Sequence, residues 1–277
     1  GNLNLNKLKF MGKNTQLKIF LALAIIVVLI AIFAPFIVPN DPFKQLGPSL
    51  LRPSKQYIFG TDQLGRDLFS RVIYGSRYSI FMTLTLMFII FAVGTILGVL
   101  AGYFGGIVDT VIMRLGDMMI AFPGLILAIA IAGLLNPSVK NSIIAIAAVT
   151  WTKYARLARS MVLKIKQELY VEAAKITGSR DYSIIFKYII PNMITTMIVT
   201  AVSDMGTLML EIAALSFLGF GAQPPTPEWG AMLNEGRTTL SRAPWMMMYP
   251  GLAIVIVVII FNMLGDSVRD VVDIKNE

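Results

Sequence analysis

Residues 19–38 form a run of twenty without a charge, and apolar stretches with few charges recur at about 80–101, 108–135, 189–220 and 246–264. A hydrocarbon core about 30 Å thick takes about 20 helical residues to cross. Inside it no water satisfies the backbone, so a chain spans only as helices or as a closed barrel. Runs of this length select helices. The chain is therefore expected to be all-α and polytopic. Its charge content agrees: 14% of the 277 residues are Asp, Glu, Lys or Arg, where a soluble domain carries about a quarter.

The net charge of +8 invites a nucleic-acid reading. The basic residues are not gathered on a soluble domain, however. They flank the apolar runs, so membrane topology accounts for them and no nucleic-acid partner is expected. The chain has no cysteine and no histidine. That excludes disulfides, thiolate or imidazole metal centres, and any Ser-His or Cys-His catalytic pair within it. Neither a metal site nor an enzymatic activity is expected.

Lys7, Lys9, Lys13 and Lys18 precede the first run. At twenty residues that run exceeds the 7–15-residue core of a signal peptide, and no Ala-x-Ala site follows it. It is expected to be an uncleaved first helix, with residues 1–18 in the cytoplasm. Residues 39–78 hold Pro39, Pro42, Pro48 and Pro53 and read as an extracytoplasmic loop. The remaining core, 79–277, is expected to hold five more crossings.

The fourth of these has the least support. Its charge-free part, 141–152, is too short to cross alone, so Lys153, Arg156 and Arg159 must reach the interface by snorkelling. Parity keeps it. With it, the segment 153–187, which holds eight Lys and Arg, falls in the cytoplasm, and so do both termini. On the third span Arg114 and Asp117 stand i,i+3 and can pair. On the second, Gly94, Gly98 and Gly102 form a row of small residues suited to close helix packing, expected against a companion subunit.

The basic loop 160–190 contains the most distinctive polar pattern. Lys164 to Thr177 is rich in helix formers, among them Glu172, Ala173 and Ala174. Gly178 suits the left-handed residue that ends such a helix. Ser179 can cap a second helix over 180–190, and Pro191 marks a break or the first turn of the fifth span. The expected result is a helix-turn-helix knuckle, where Ala173 and Ala174 leave room for a soluble partner. The plain alternative is an amphipathic linker.

The Glu172-Ala173-Ala174-x3-Gly178 pattern, with Pro191 behind it, resembles the signature loop of ABC importer permeases. The resemblance extends further. Phe59-Gly60-Thr61-Asp62-Gln63-Leu64-Gly65-Arg66-Asp67 looks like an external-loop signature of the dipeptide/oligopeptide/nickel importer permeases. So do Ala101-Gly102-Tyr103-Phe104-Gly105-Gly106, Asp117-x5-Pro123, Leu215 to Gly221, and Trp229-Gly230. Together these cover nearly the whole chain, in the manner of the "C"-type subunit. The family often has His where Tyr188 stands and Leu where Ile190 stands.

The resemblance implies a six-helix type I importer fold in a bacterial or archaeal cytoplasmic membrane. It implies a second homologous permease subunit, two cytoplasmic ATP-binding subunits and an extracytoplasmic substrate-binding protein. Glu172, Ala173, Ala174, Gly178 and Pro191 would couple this chain to an ATPase. The chain itself has no G-x-x-x-x-G-K-[ST] phosphate loop, so ATP and Mg would be bound by the partners. The cargo implied is a peptide, or alternatively nickel or a metal chelate.

Asp204 and Glu211 fall inside the fifth span, where acids are costly and mark function by default. Seven residues apart, they point the same way. Either they line a pore and meet a cationic group, or each is paired within the fold. Asp62, Arg66, Asp67 and Arg71 can dock a binding protein through charge pairs, or pair internally to fold the loop. The sixteen methionines read as adaptable apolar filler. A different class, an ATP-independent secondary transporter, predicts an inverted repeat, and none is visible.

Overall fold

The computed structural model describes residues 2–276, with side chains from residue 12 to residue 273. The side chains of Lys7, Lys9 and Lys275, which entered the topology reading, lie outside the described residues. The helices are α1 (Asn2–Ile37), α2 (Leu68–Phe104), α3 (Gly106–Ile120), α4 (Gly124–Leu134), α5 (Val139–Ile165), α6 (Leu169–Ile176) and α7 (Asp181–Ile184). A π-helical turn, Ile185–Ile189, leads into α8 (Ile190–Phe217), followed by α9 (Trp229–Arg237) and α10 (Trp245–Asn276). No strand occurs among the described residues, only an isolated bridge between Thr61 and Asp67.

Among the described residues, four helical stretches are long and apolar enough to cross a membrane: Gly12–Ile37, Leu68–Phe104, Asp181–Phe217 and Trp245–Asp273. A fifth exists if α3 and α4 count together, but these meet at 93°. The straight third span expected over 108–135 is therefore broken. Pro123 supplies the reason: it gives no N–H and pushes Phe122 out of helical geometry.

The expected fourth crossing corresponds to α5. It is one continuous helix of 27 residues, about 40 Å long, but with five basic residues it is not among the helices apolar enough by composition to cross a membrane. Two of these charges are paired with α3. Arg156 bonds to Asp117, and Arg159 forks Asp109 at 2.5 and 2.6 Å. Asp117 thus pairs with a neighbouring helix, not with Arg114 on its own.

The chain divides into two compact units. The first runs up to Thr85, includes Ile131–Ile144, and resumes from Val202. In it α1 packs along α10, around buried Leu68, Ile80, Trp229, Met246 and Phe261. Its first loop lacks regular structure but is tied down by a network of backbone and side-chain hydrogen bonds. Thr61 Oγ1 donates to the Pro48 carbonyl at 2.7 Å and accepts from the Leu51 amide at 2.8 Å. The Gly65 carbonyl accepts from the amides of Leu46 and Gly47. The loop ends sooner than residue 78 because Asp67 caps α2: its Oδ2 accepts from the Ser70 hydroxyl at 2.6 Å and amide at 3.4 Å.

The second unit holds Leu86–Ala130 and Ala145–Ala201. Here the glycine row on α2 lies against α5 of the same chain. A Cβ on Gly98 would stand 2.4 Å from the Ala155 carbonyl oxygen and 2.6 Å from the Ala158 Cβ. On Gly94 it would meet the Tyr154 Cβ at 2.4 Å. Small residues allow this approach, which replaces the hydrophobic effect as the adhesive between helices in lipid. Gly98→Leu is expected to destabilise the fold by at least about 2 kcal/mol through overpacking, read as a lower melting temperature in detergent. Gly116→Ala is the control, since its Cβ would have 3.8 Å to the nearest atom. Equal melting of the two variants would contradict this packing.

Candidate functional site

The knuckle begins where α5 ends. The chain turns through Lys166 and Gln167, and Glu168, in extended geometry, stands at the N-cap of α6. The Glu168 carbonyl accepts from the Val171 amide at 2.9 Å. At the other end Gly178 takes φ +80°. Its amide bonds to the Lys175 carbonyl at 3.1 Å, and the Ser179 amide reaches back to Ala174 at 3.0 Å. This pair is the Schellman closure, whose left-handed residue carries a penalty in any L side chain.

Val171 and Ala174 face inward and are buried, while Glu172 and Ala173 are exposed. Of the two alanines read as leaving room for a partner, only Ala173 does so. The exposed side also carries apolar residues: Leu169 is 82% and Ile176 86% exposed, and Tyr182 and Phe186 are more than half exposed.

The second arm differs from expectation. Arg180, not Ser179, stands at the N-cap of α7, without a side-chain cap bond. Of the two options for Pro191 the structure takes the second: it lies in the first turn of α8 and breaks nothing. The π-helical turn just before it absorbs the missing donor, with the Ile190 amide bonding to the Ile185 carbonyl. The Asn192 side chain then donates to the Tyr188 carbonyl at 2.5 Å. The arm therefore runs without interruption into α8 as a helical stretch of 37 residues.

In the first unit the charges read as dockers or internal pairs are gathered together. Asp62, Arg66, Asp67 and Arg71 are between 0 and 5% exposed. Arg66 Nε meets Asp62 Oδ2 at 2.6 Å, and Arg71 Nε meets the same oxygen at 3.3 Å. A fifth member, Glu235 of α9, faces Arg66 at 3.4 Å and Arg71 at 3.5 Å. Arg71 also donates through Nη1 to the carbonyls of Pro42 and Pro225, at 3.1 and 3.2 Å. Asp67 accepts from the Asn40 side chain at 3.0 Å. Asp62, Arg66 and Arg71 thus pair internally here, while Asp67 bonds to Asn40 and Ser70 instead of a charge. Burial raises the Glu235 pKa above its ordinary value, and the two arginines oppose that.

Nearby, Glu228 caps α9. Its carboxylate accepts from the amides of Gly230 and Ala231 at 3.0 and 2.9 Å, and it is 1% exposed. Burial raises its pKa, and these amides hold it back. Sequence reasoning missed both acids. Glu228 had a signal, an acid one residue before the Trp229-Gly230 helix start. Glu235 had none. Asp204 and Glu211 sit half-buried on α8, two turns apart, and each has an interaction partner. Among the described residues no three metal-binding side chains cluster.

The family model of the binding-protein-dependent transport system inner membrane component matches residues 94–276. The chain belongs to this family. It is 46% identical over 253 residues to the dipeptide transport system permease protein DppC of Alkalihalophilus pseudofirmus, covering 90% of this chain and 82% of that one. To the protein of the same name from Haemophilus influenzae it is 41% identical, over 96% and 92% of the two chains. To the glutathione transport system permease protein GsiD of Escherichia coli it is 44% identical, over 91% and 84%. Among solved structures, an inward-facing form of the MetNI methionine ABC transporter matches with a TM-score of 0.57 at 17% identity, over 75% of this chain and 97% of that one. That likeness identifies the ABC importer permease fold. This chain is a multi-pass membrane permease of that family.

Proposed function

We propose that this chain forms half of a heterodimeric pore for small peptides in a cytoplasmic membrane, driven by two ATP-binding partner subunits. The observation that carries the reading is the exposed knuckle. A polar Glu172 and bare Ala173 share this loop with exposed Leu169, Ile176, Tyr182 and Phe186, and nothing among the described residues buries them. Exposed apolar patches of this kind fit protein surfaces. In a permease that has no phosphate loop, the fitting partner is the ATPase, which binds ATP and Mg. Closure of the ATPases then moves the knuckle as a rigid body.

The relatives named for dipeptide and glutathione transport support a peptide cargo over nickel. Delivery from outside falls to a soluble binding protein. It meets exposed neighbours of the charge cluster, such as Leu64, on a frame that Asp62, Arg66, Asp67 and Arg71 hold rigid. Asp204 and Glu211 are the acids of α8, and a peptide amine would meet each of them beside the partner it already has.

The test is reconstitution. The chain, its companion permease and the two ATPases in proteoliposomes are expected to accumulate labelled dipeptide only with ATP and loaded binding protein. Uptake by this chain alone, without ATP, would overturn the reading. Uptake of a nickel chelate instead of dipeptide would overturn the cargo.

A further inference from the structure

The α2–α3 junction, residues 102–106, reads from sequence as a turn and a family motif; in the structure 102–104 are the last turn of α2 and Gly105 alone links it to α3, and coupling as described above does not use it. In the structure it is gripped from three sides within the second unit. Tyr103 Oη donates to Asp181 Oδ1, in the first turn of α7, at 2.7 Å. Lys175 of α6 places its ammonium 5.8 Å from the centre of the Tyr103 ring, within cation–π range. Lys166, just past α5, donates to the Gly102 carbonyl at 3.0 Å. That carbonyl belongs to the last turn of α2, where a cation is favoured. One turn into α3, Asp109 accepts the fork from Arg159 of α5.

We infer that this turn is the receiving end of the coupling loop, and that Tyr103 and Asp181 are the positioning pair through which movement of α6 and α7 reaches α2 and α3. The inference rests on the function proposed above. Its physical content is directional. The knuckle's inward contacts through Val171 and Ala174 are apolar and tolerate sliding. A short hydrogen bond to a carboxylate fixes both distance and angle. The pair is partly solvated, so its worth to stability is small. Removing it therefore leaves the fold intact while disconnecting two rigid elements.

The experiment uses the complete reconstituted transporter with dipeptide-loaded binding protein. Tyr103→Phe removes one hydroxyl, and Asp181→Asn removes the charge. In each, subunit assembly and basal ATP hydrolysis are expected to match the unsubstituted complex. Dipeptide transported per ATP is expected to fall at least about fivefold, the lower range of measured site-to-site couplings. The double variant is expected to be no worse than either single one, because both delete the same link.

A purely structural role would lower assembly and melting temperature and leave the transport-to-ATP ratio unchanged. That outcome overturns the inference, and so do additive effects of the two substitutions. If the unsubstituted complex shows no ATP-dependent uptake, the function itself is wrong. If it is coupled and Tyr103→Phe is equally coupled, only this inference is.

Discussion

Replacing Arg71 with methionine is expected to destabilise the fold by about 3 kcal/mol, the lower end for breaking a buried ion pair by removing one partner. Arg71 is wholly buried and faces two carboxylates, Asp62 and Glu235. Arg66 is the other cation beside them. Methionine fills much of the volume, so the loss reflects uncompensated charge and two orphaned carbonyls, those of Pro42 and Pro225. Arg71→Lys keeps the charge but cannot serve both carbonyls and both acids at once, and an intermediate loss is expected.

The defect should depend on pH, and the sign follows from Glu235. Its pKa is already raised by burial and lowered chiefly by Arg71. Without Arg71 it rises further, so the folded state holds a proton more tightly than the unfolded one. Stability from that proton is present at low pH and is lost as pH rises through the folded pKa. The gap between variant and parent should therefore be narrower at pH 5 than at pH 8, measured by melting in detergent. A gap that widens on acidification, or no gap, would refute the cluster's role.

This cluster also shows where sequence reading stops. Asp62, Arg66, Asp67 and Arg71 lie within ten residues, and pairing among them, which Asp62, Arg66 and Arg71 show, was legible as an option. Glu235 stands 169 residues from Arg66, and no local pattern announces it. Long-range partners are set by tertiary packing, which periodicity does not encode. The same limit explains Asp117. Arg114 at i,i+3 was the local candidate, yet Arg156 of α5 took the bond.

Backbone features fared better where one residue controls them. Gly178 was legible because a left-handed helix end is nearly a glycine monopoly. The existence of the apolar spans was legible because the bilayer imposes their length. Pro123 and Pro191 carried the same local signal and met opposite fates. At Pro123 the helix bends by 93°, while at Pro191 a π-helical turn absorbs the missing donor. Which outcome wins depends on neighbouring packing, so a proline alone could not decide it.

Substituting valine for Gly178 is expected to cut binding-protein-stimulated ATP hydrolysis at least about tenfold, with unchanged abundance in the membrane. A Cβ there would meet nothing within 4 Å, so no clash is involved. The cost is conformational. An L residue at φ +80° carries about 1–2 kcal/mol, and β-branching adds to it. About 1.4 kcal/mol is a factor of ten. The chain relieves this strain by leaving the left-handed region. That breaks the Gly178–Lys175 and Ser179–Ala174 bonds and turns α7 away from α6. The exposed residues of α6 and of the second arm then lose the relative placement that an ATPase would read. Gly178→Asn is the discriminating control, since asparagine tolerates the left-handed region and should retain most of the activity. Full stimulated hydrolysis in Gly178→Val would show that the bend is not what the partner reads. Loss in both variants alike would implicate the side chain, not the backbone.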